Sequence, residues 1–180
     1  ENIDTECFVQ LNNPITFSIP SLSDHKFSRG CCFIVVGENL IGASKLAYLS
    51  ASQTVLRAGA GVCKLLVNEK NKDFFKPHIL EEMLVIYKSN KDFTSIIKNE
   101  RCNALIFGCG IENNLNNKKI LTFLLKQNID LILDAVVFSL FQKDKKEFFS
   151  ILNQRINNTI MTPHAGEFKR IFNTTNNKIF

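Results

Sequence analysis

The sequence predicts an α/β fold, with a mainly parallel sheet and helices on both faces. Three observations carry this. Short apolar, β-branched runs alternate along the chain with stretches of helical spacing. Four of the six runs end in a short segment built on Gly, Asp or Thr-Pro. Hydrophobic residues make up 45% of the 180 positions, which excludes a disordered chain and allows one sizeable core.

Residues 1–24 show no strong period, and Pro14, Pro20, Ser21, Ser23 and Asp24 mark an irregular lead-in or linker. Cys32–Val36 is a short apolar run ending at Gly37 and reads as a buried strand. Gly42–Ala58 reads as a helix, with Ala43, Leu46, Ala47, Ser50 and Thr54 on its recurring face and Gly59 as its stop. Val62–Val67 is a second strand. Residues 69–80 hold a short helix broken near Pro77, and Met83–Tyr87 is a third strand. Asp92–Asn99 is a short helix, and Ala104–Phe107 a strand ended by Gly108-Cys109-Gly110. Leu115–Gln127 is a helix, Leu131–Leu133 a strand ended by Asp134, and Lys143–Leu152 a helix. Thr159–Met161 is the last strand, with a helix starting at Glu167.

Composition narrows the function classes. The formal charge is +5, but the lysines are scattered and nowhere interleave with aromatics as in a nucleic-acid groove. The charge suits a small phosphate-bearing ligand without demanding one. None of the six cysteines forms a C-x-x-C pair, so a zinc or thioredoxin-like site has no support. Most lie in apolar runs as small hydrophobes, which favours a reducing, cytoplasmic compartment. No apolar run approaches the ~20 residues that span a bilayer. Heavy use of Asn, Lys, Ile and Phe is what an AT-rich genome produces, so Asn113–Asn117 and Asn173–Asn177 read as polar loops.

In parallel α/β sheets, ligands sit at the carboxyl ends of the strands. Gly37-Glu38-Asn39, Gly108-Cys109-Gly110, Asp134-Ala135 and the segment Thr162 to Glu167 all fall there and are predicted to converge on one edge. Each also has a plainer reading. Gly37 and the Gly108/Gly110 pair serve a tight turn as well as a close approach to phosphate or ribose. Asp134 suits either a hydroxyl or metal partner or a helix cap. His164 suits either a ligand contact or an N-cap, with Glu167 closing a capping box. Arg57-Ala58-Gly59-Ala60-Gly61 reads as close packing of a helix end on a strand. No metal-ligand cluster and no nucleophilic triad stands out.

Together, these segments resemble a known family. His25-Lys26-Phe27-Ser28-Arg29-Gly30 is similar to the H-K-Y-x-R-G opening of the ADP/ATP-dependent NAD(P)HX dehydratases. Gly42-Ala43, Arg57 to Gly61, Glu82-Met83, Gly108-Cys109-Gly110, Leu133-Asp134-Ala135 and Thr162-Pro163-His164-Ala165-Gly166-Glu167-Phe168 follow in that family's order and spacing. The match runs from about His25 to Phe172. Two positions depart from the pattern: Cys109 stands where the family has Pro, and Val136 where it has a second acid.

The resemblance implies a three-layer ribokinase-like fold over 25–180, as a partial dehydratase domain. It implies repair of NADHX and NADPHX to NADH and NADPH, with ADP or ATP and Mg2+ phosphorylating the added hydroxyl before phosphate leaves. Ala43, Gly110 and His164, with Asp134 beside them, are then the expected substrate-binding residues. The family's K-G-x-x-T and G-T-G-D segments do not occur before Phe180, so the fold is expected to be incomplete at its C-terminus. The expected catalytic Asp lies past Phe180, and the chain is expected to bind without turnover. The resemblance further implies a homo-oligomer and, upstream of 1–24, a fused epimerase domain. A small-molecule kinase of the same fold, or a non-catalytic nucleotide-binding or oligomerising remnant, fits the same residues.

Overall fold

The computed structural model describes residues 19–172. Six strands, β1 (Cys31–Val35), β2 (Val62–Asn68), β3 (Met83–Tyr87), β4 (Ala104–Phe107), β5 (Asp130–Leu133) and β6 (Thr159–Met161), form one sheet in the order β3-β2-β1-β4-β5-β6. Every neighbouring pair is parallel, as the alternation of elements predicts. The helices are α1 (Ile41–Arg57), α2 (Lys72–Phe75), α3 (Asn90–Asn99), α4 (Leu115–Leu125), α5 (Val137–Leu140), α6 (Lys145–Asn153) and α7 (Ala165–Phe172), with 3-10 turns flanking α2. The lead-in is described only from Ile19, and Asn173–Asn177 lies outside the described residues.

Two apolar layers sandwich the sheet, because strand side chains alternate between its faces. Phe33, Val35, Leu66, Leu105, Phe107, Leu131 and Leu133 pack against α3 through α7. Ile34, Val36, Cys63, Leu65 and Val67 pack against Tyr48 of α1 and Phe75 of α2. On this second face Ile34, Ile106, Ile132 and Ile160 lie in one row across four strands, and Ile160 at its end is 57% exposed.

One predicted helix face is corrected. The buried row of α1 is Ser44, Tyr48 and Ser52, while Ala43, Leu46, Ser50 and Thr54 are exposed. Counting apolar residues selects the wrong row because two buried members satisfy their hydroxyls internally. Ser44 Oγ accepts from the Gly37 N–H at 2.8 Å. The Tyr48 hydroxyl lies 2.9 Å from the His78 carbonyl and 3.0 Å from Glu82 Oε2.

The short α5 was not predicted. A single turn has no room for a helical period, and its N-cap, Val136, makes no side-chain cap. Asn113–Asn117 is also more than a polar loop. Asn114 caps α4, its Oδ1 accepting from the Asn117 N–H at 2.8 Å. Arg155 ties the end of α4 to β5, its guanidinium donating to the carbonyls of Leu125 at 2.6 Å and Ile129 at 2.5 Å.

The phenylalanine excess has a structural use. Phe141 stacks on Phe148, Phe148 meets Phe149, Phe149 meets Phe172, and Phe172 stacks on Phe168. This run of rings joins α5, α6 and α7.

Candidate functional site

The strand order reverses direction between β1 and β4. From β1 the chain steps outward to β2 and β3, and from β4 to β5 and β6 on the other side. The loops leaving the carboxyl ends of β1 and β4 therefore part in opposite directions and leave a crevice where parallel sheets bind ligands. Two glycine segments meet there. A Cβ on Gly37 would stand 1.7 Å from the Gly110 carbonyl oxygen. Gly108 and Gly110 have φ of +130° and +69°, and a Cβ on Gly108 would stand 1.9 Å from the Asp134 carbonyl oxygen. These residues lie in the left-handed region and against backbone, so no side chain fits.

The next strand end supplies Asp134 and Ala135, the latter a non-glycine residue at φ 50°. Both Asp134 oxygens are engaged. Thr162 Oγ1 donates to Oδ1 at 2.8 Å, and the Cys109 thiol donates to Oδ2 at 3.1 Å. Burial, then the hydrogen bond and charge of Asp134, push the Cys109 thiol up to about 12, so it stays protonated and donating. Asp134 thereby links the ends of β4, β5 and β6.

At the third strand end His164 and Glu167 form the capping box. The Gly166 N–H donates to His164 Nδ1 at 3.0 Å, and the His164 N–H donates to Glu167 Oε2 at 3.0 Å. Because Nδ1 accepts, the ring hydrogen lies on Nε2, 3.3 Å from Glu167 Oε1. Glu167 is turned inward and His164 outward, with side chains 11% and 65% exposed.

A cavity of about 560 Å³ opens among these ends, lined by Gly108, Gly110, Ile111, Glu112, Ala135, Val136, Ser139 and Glu167, with Leu40 and Asn113 at its sides. The volume suits part of a nucleotide. Gly110 lies in its wall, Asp134 sits between lining residues, and His164 acts on it through Glu167. Ala43 is in the first turn of α1, which packs on Gly110 through Ser44. That turn starts at Leu40 without a side-chain cap and holds no acidic residue, so its N–H groups keep their positive end free for an anion. Ser44, Glu112 and Ser139 were not singled out from the sequence, whereas Asn39 belongs to the Gly37-Glu38-Asn39 segment predicted for this edge. Asn39 Nδ2 donates to Glu112 Oε1, and Asn114 Nδ2 to Oε2 at 3.2 Å, so Glu112 bridges the β1–α1 and β4–α4 loops. An Asn or Glu in a polar loop gives no periodic signal that would mark it.

The opening motif and the Arg57–Gly61 segment lie elsewhere. A Cβ on Gly61 would stand 1.7 Å from the Lys26 carbonyl oxygen, and the Gly61 N–H donates to the Gly30 carbonyl at 3.1 Å. Both segments precede strands, so they close the amino end of the sheet as packing elements. Glu82 of the family pattern is likewise internal. Burial works to raise its carboxyl, but hydrogen bonds from the Leu80 N–H and the Tyr48 hydroxyl, with the Ser52 hydroxyl alongside, hold it below the usual range.

The cavity lining contains no Lys or Arg. Among the described residues no group of three or more His, Cys, Asp or Glu is arranged to hold a metal ion. Among the described residues, the lining thus offers a nucleotide apolar and polar contacts and the carboxylates of Glu112 and Glu167, with the α1 turn beside it for an anion. Among them, no helix is long and apolar enough to cross a membrane.

Fold and site together define a protein of ribokinase-like α/β fold with a cavity at its strand ends that suits part of a nucleotide. A ribokinase-like superfamily protein of Enterococcus faecalis superposes with a TM-score of 0.67 at 19% identity, over 86% of this chain and 52% of that one. The ADP/ATP-dependent NAD(P)H-hydrate dehydratase of Bacillus subtilis, co-crystallised with ATP and Mg2+, superposes with a TM-score of 0.64 at 20% identity, over 86% and 51%. The family model for NAD(P)H-hydrate dehydratase matches residues 32–178, and the chain belongs to that family. The bifunctional NAD(P)H-hydrate repair enzyme of Archaeoglobus fulgidus is 29% identical over 182 aligned positions, 94% of this chain and 35% of that protein. The chain thus spans about half the length of these solved relatives and about a third of the curated one.

Proposed function

We propose that the chain supplies the substrate-binding part of an ADP/ATP-dependent NAD(P)H-hydrate dehydratase, which returns NADHX and NADPHX to NADH and NADPH. The observation that carries this reading is the cavity at the β1/β4 reversal, walled by Gly110 and bordered by the uncapped first turn of α1, in a chain of this family. In this reading the α1 turn around Ala43 takes the diphosphate of the dinucleotide. The cavity takes the hydrated nicotinamide end, and His164 fixes the Glu167 wall. Asp134 holds the strand ends together through Cys109 and Thr162, and each of its oxygens keeps a lone pair for the substrate. Phosphorylation of the added hydroxyl by ADP or ATP with Mg2+ falls to residues outside this set. A fused epimerase domain belongs to the same reading, and the bifunctional character of the Archaeoglobus relative is consistent with it. A homo-oligomer in the cytoplasm belongs to the same proposal.

Titration of the chain with NADPHX, followed by calorimetry, tests it. Saturable binding is expected, weakened at least tenfold by Gly110→Ala. Absence of binding, or tighter binding of sugars or vitamin precursors than of NADPHX, refutes the reading in favour of a kinase of the same fold.

A further inference from the structure

The turn between β4 and α4 carries one side chain between two glycines, and that side chain is a donor. Gly108 and Gly110 lie against the backbone of Asp134 and of Ser44, and Cys109 stands between them. The backbone of Asp134 is fixed by packing. Its N–H donates to the Phe107 carbonyl at 3.1 Å, and its carbonyl oxygen lies against Gly108. The direction of its carboxylate is set separately, by two donors: the Cys109 thiol on Oδ2 at 3.1 Å and the Thr162 hydroxyl on Oδ1 at 2.8 Å. These two holds differ. Thr162 is exposed, so water competes for its bond, whereas the bond from Cys109 is partly buried. A thiol is a weak donor, but a bond to a carboxylate is charge-assisted. Cys109 is tied on its other side as well, its carbonyl accepting from Ser44 Oγ of α1 at 3.4 Å. Burial, then the hydrogen bond to Asp134 and the charges of Asp134 and Glu167, keep the thiol protonated. That state suits it to donate and unsuits it to attack as a nucleophile.

We propose that Cys109 is a positioning residue of the ligand site: through its bond to Asp134 it aims the carboxylate whose remaining lone pairs meet the substrate. This rests on the dehydratase reading above and deepens it, since the family pattern has Pro at this place, and Pro stiffens a turn without offering a donor. In this chain the glycine contacts hold the turn, and the residue between them is released to orient Asp134. A hydroxyl performs the same service, and a methyl group or a pyrrolidine ring does not. The effect of a substitution therefore follows its donor and not its bulk.

Calorimetric titration with NADPHX of the unaltered chain, Cys109→Ser, Cys109→Ala and Cys109→Pro is the test, with urea unfolding of each to establish that it folds. Cys109→Ala and Cys109→Pro are expected to weaken binding about fivefold, and Cys109→Ser to stay within about twofold of the unaltered chain. In an Asp134→Ala background, Cys109→Ala is expected to cause no further loss, because Cys109 acts through Asp134. Unchanged affinity in Cys109→Ala and Cys109→Pro overturns this inference and leaves the dehydratase reading intact. An equal loss in Cys109→Ser, or a loss repeated in the Asp134→Ala background, overturns it in the same way, since the turn and not the donor would then matter. The comparison of the three Cys109 variants stands even if Asp134→Ala does not fold. Failure of the unaltered chain to bind NADPHX overturns the dehydratase reading and this inference with it.

Discussion

Replacing Gly110 by Ala places a methyl group between the β4–α4 turn and the first turn of α1. That methyl would stand 2.1 Å from Ser44 Oγ, 2.7 Å from the Ser44 nitrogen and 2.8 Å from the Leu40 carbonyl oxygen. The first contact can be relieved by rotating a side chain, but only by giving up the hydrogen bond from the Gly37 N–H. The other two are backbone, so α1 or the turn must retreat. Holding an L-residue at φ +69° adds about 1–2 kcal/mol, and overpacking a close contact costs about 1–3 kcal/mol. The expected loss of stability is therefore about 2–5 kcal/mol. Gly42→Ala is the matched control, because a Cβ there meets nothing within 4 Å. It lies inside α1, where Ala is better than Gly by about 0.5–1 kcal/mol. Equilibrium urea unfolding of both variants gives the comparison. A Gly110→Ala variant as stable as Gly42→Ala would refute the close-approach argument for this turn.

Arg155→Ala removes donors from the Leu125 and Ile129 carbonyls at the end of α4 and from Thr159 Oγ1, and should cost about 3 kcal/mol in urea unfolding. Arg155→Lys should recover less than half of it, since one ammonium cannot reach all three acceptors. The Glu82 carboxyl is held below its ordinary value of 4.5 in the fold, so its contribution is complete above that pH. It is lost as pH falls below 4.5 through the folded value. Glu82→Gln should flatten the fall of thermal stability in this acid window, and an unchanged slope would show that the Tyr48 and Leu80 hydrogen bonds do not stabilise the charged form.

The sheet was legible because the strands are short, mostly apolar runs, four of them with a Gly, Asp or Thr-Pro stop, and the parallel order follows from the alternation of runs and helices. The convergence of Gly110, Asp134 and His164 on one edge was legible for the same reason. The burial of α1 was not, since Ser44 and Ser52 look polar in a sequence and are internal in the fold. The role of Asp134 was left open between ligand and cap, and its bonds to Cys109 and Thr162 join residues 25 and 28 positions away, beyond any local pattern. Glu112 was missed for a similar reason, its partner Asn39 standing 73 positions away.

The phenylalanine run from Phe141 to Phe168 has a mechanical consequence for the cavity. Val136 and Ser139 stand at one end of that run and Glu167 at the other, so stacked rings brace these walls from behind into one stiff block. The wall formed by Leu40 has no such brace. It is held to the β4–α4 loop by the polar clasp of Asn39 on Glu112 and by the backbone contact of Gly37 with Gly110. The cavity is thus walled on one side by packed rings and on the other by loops joined through a polar clasp.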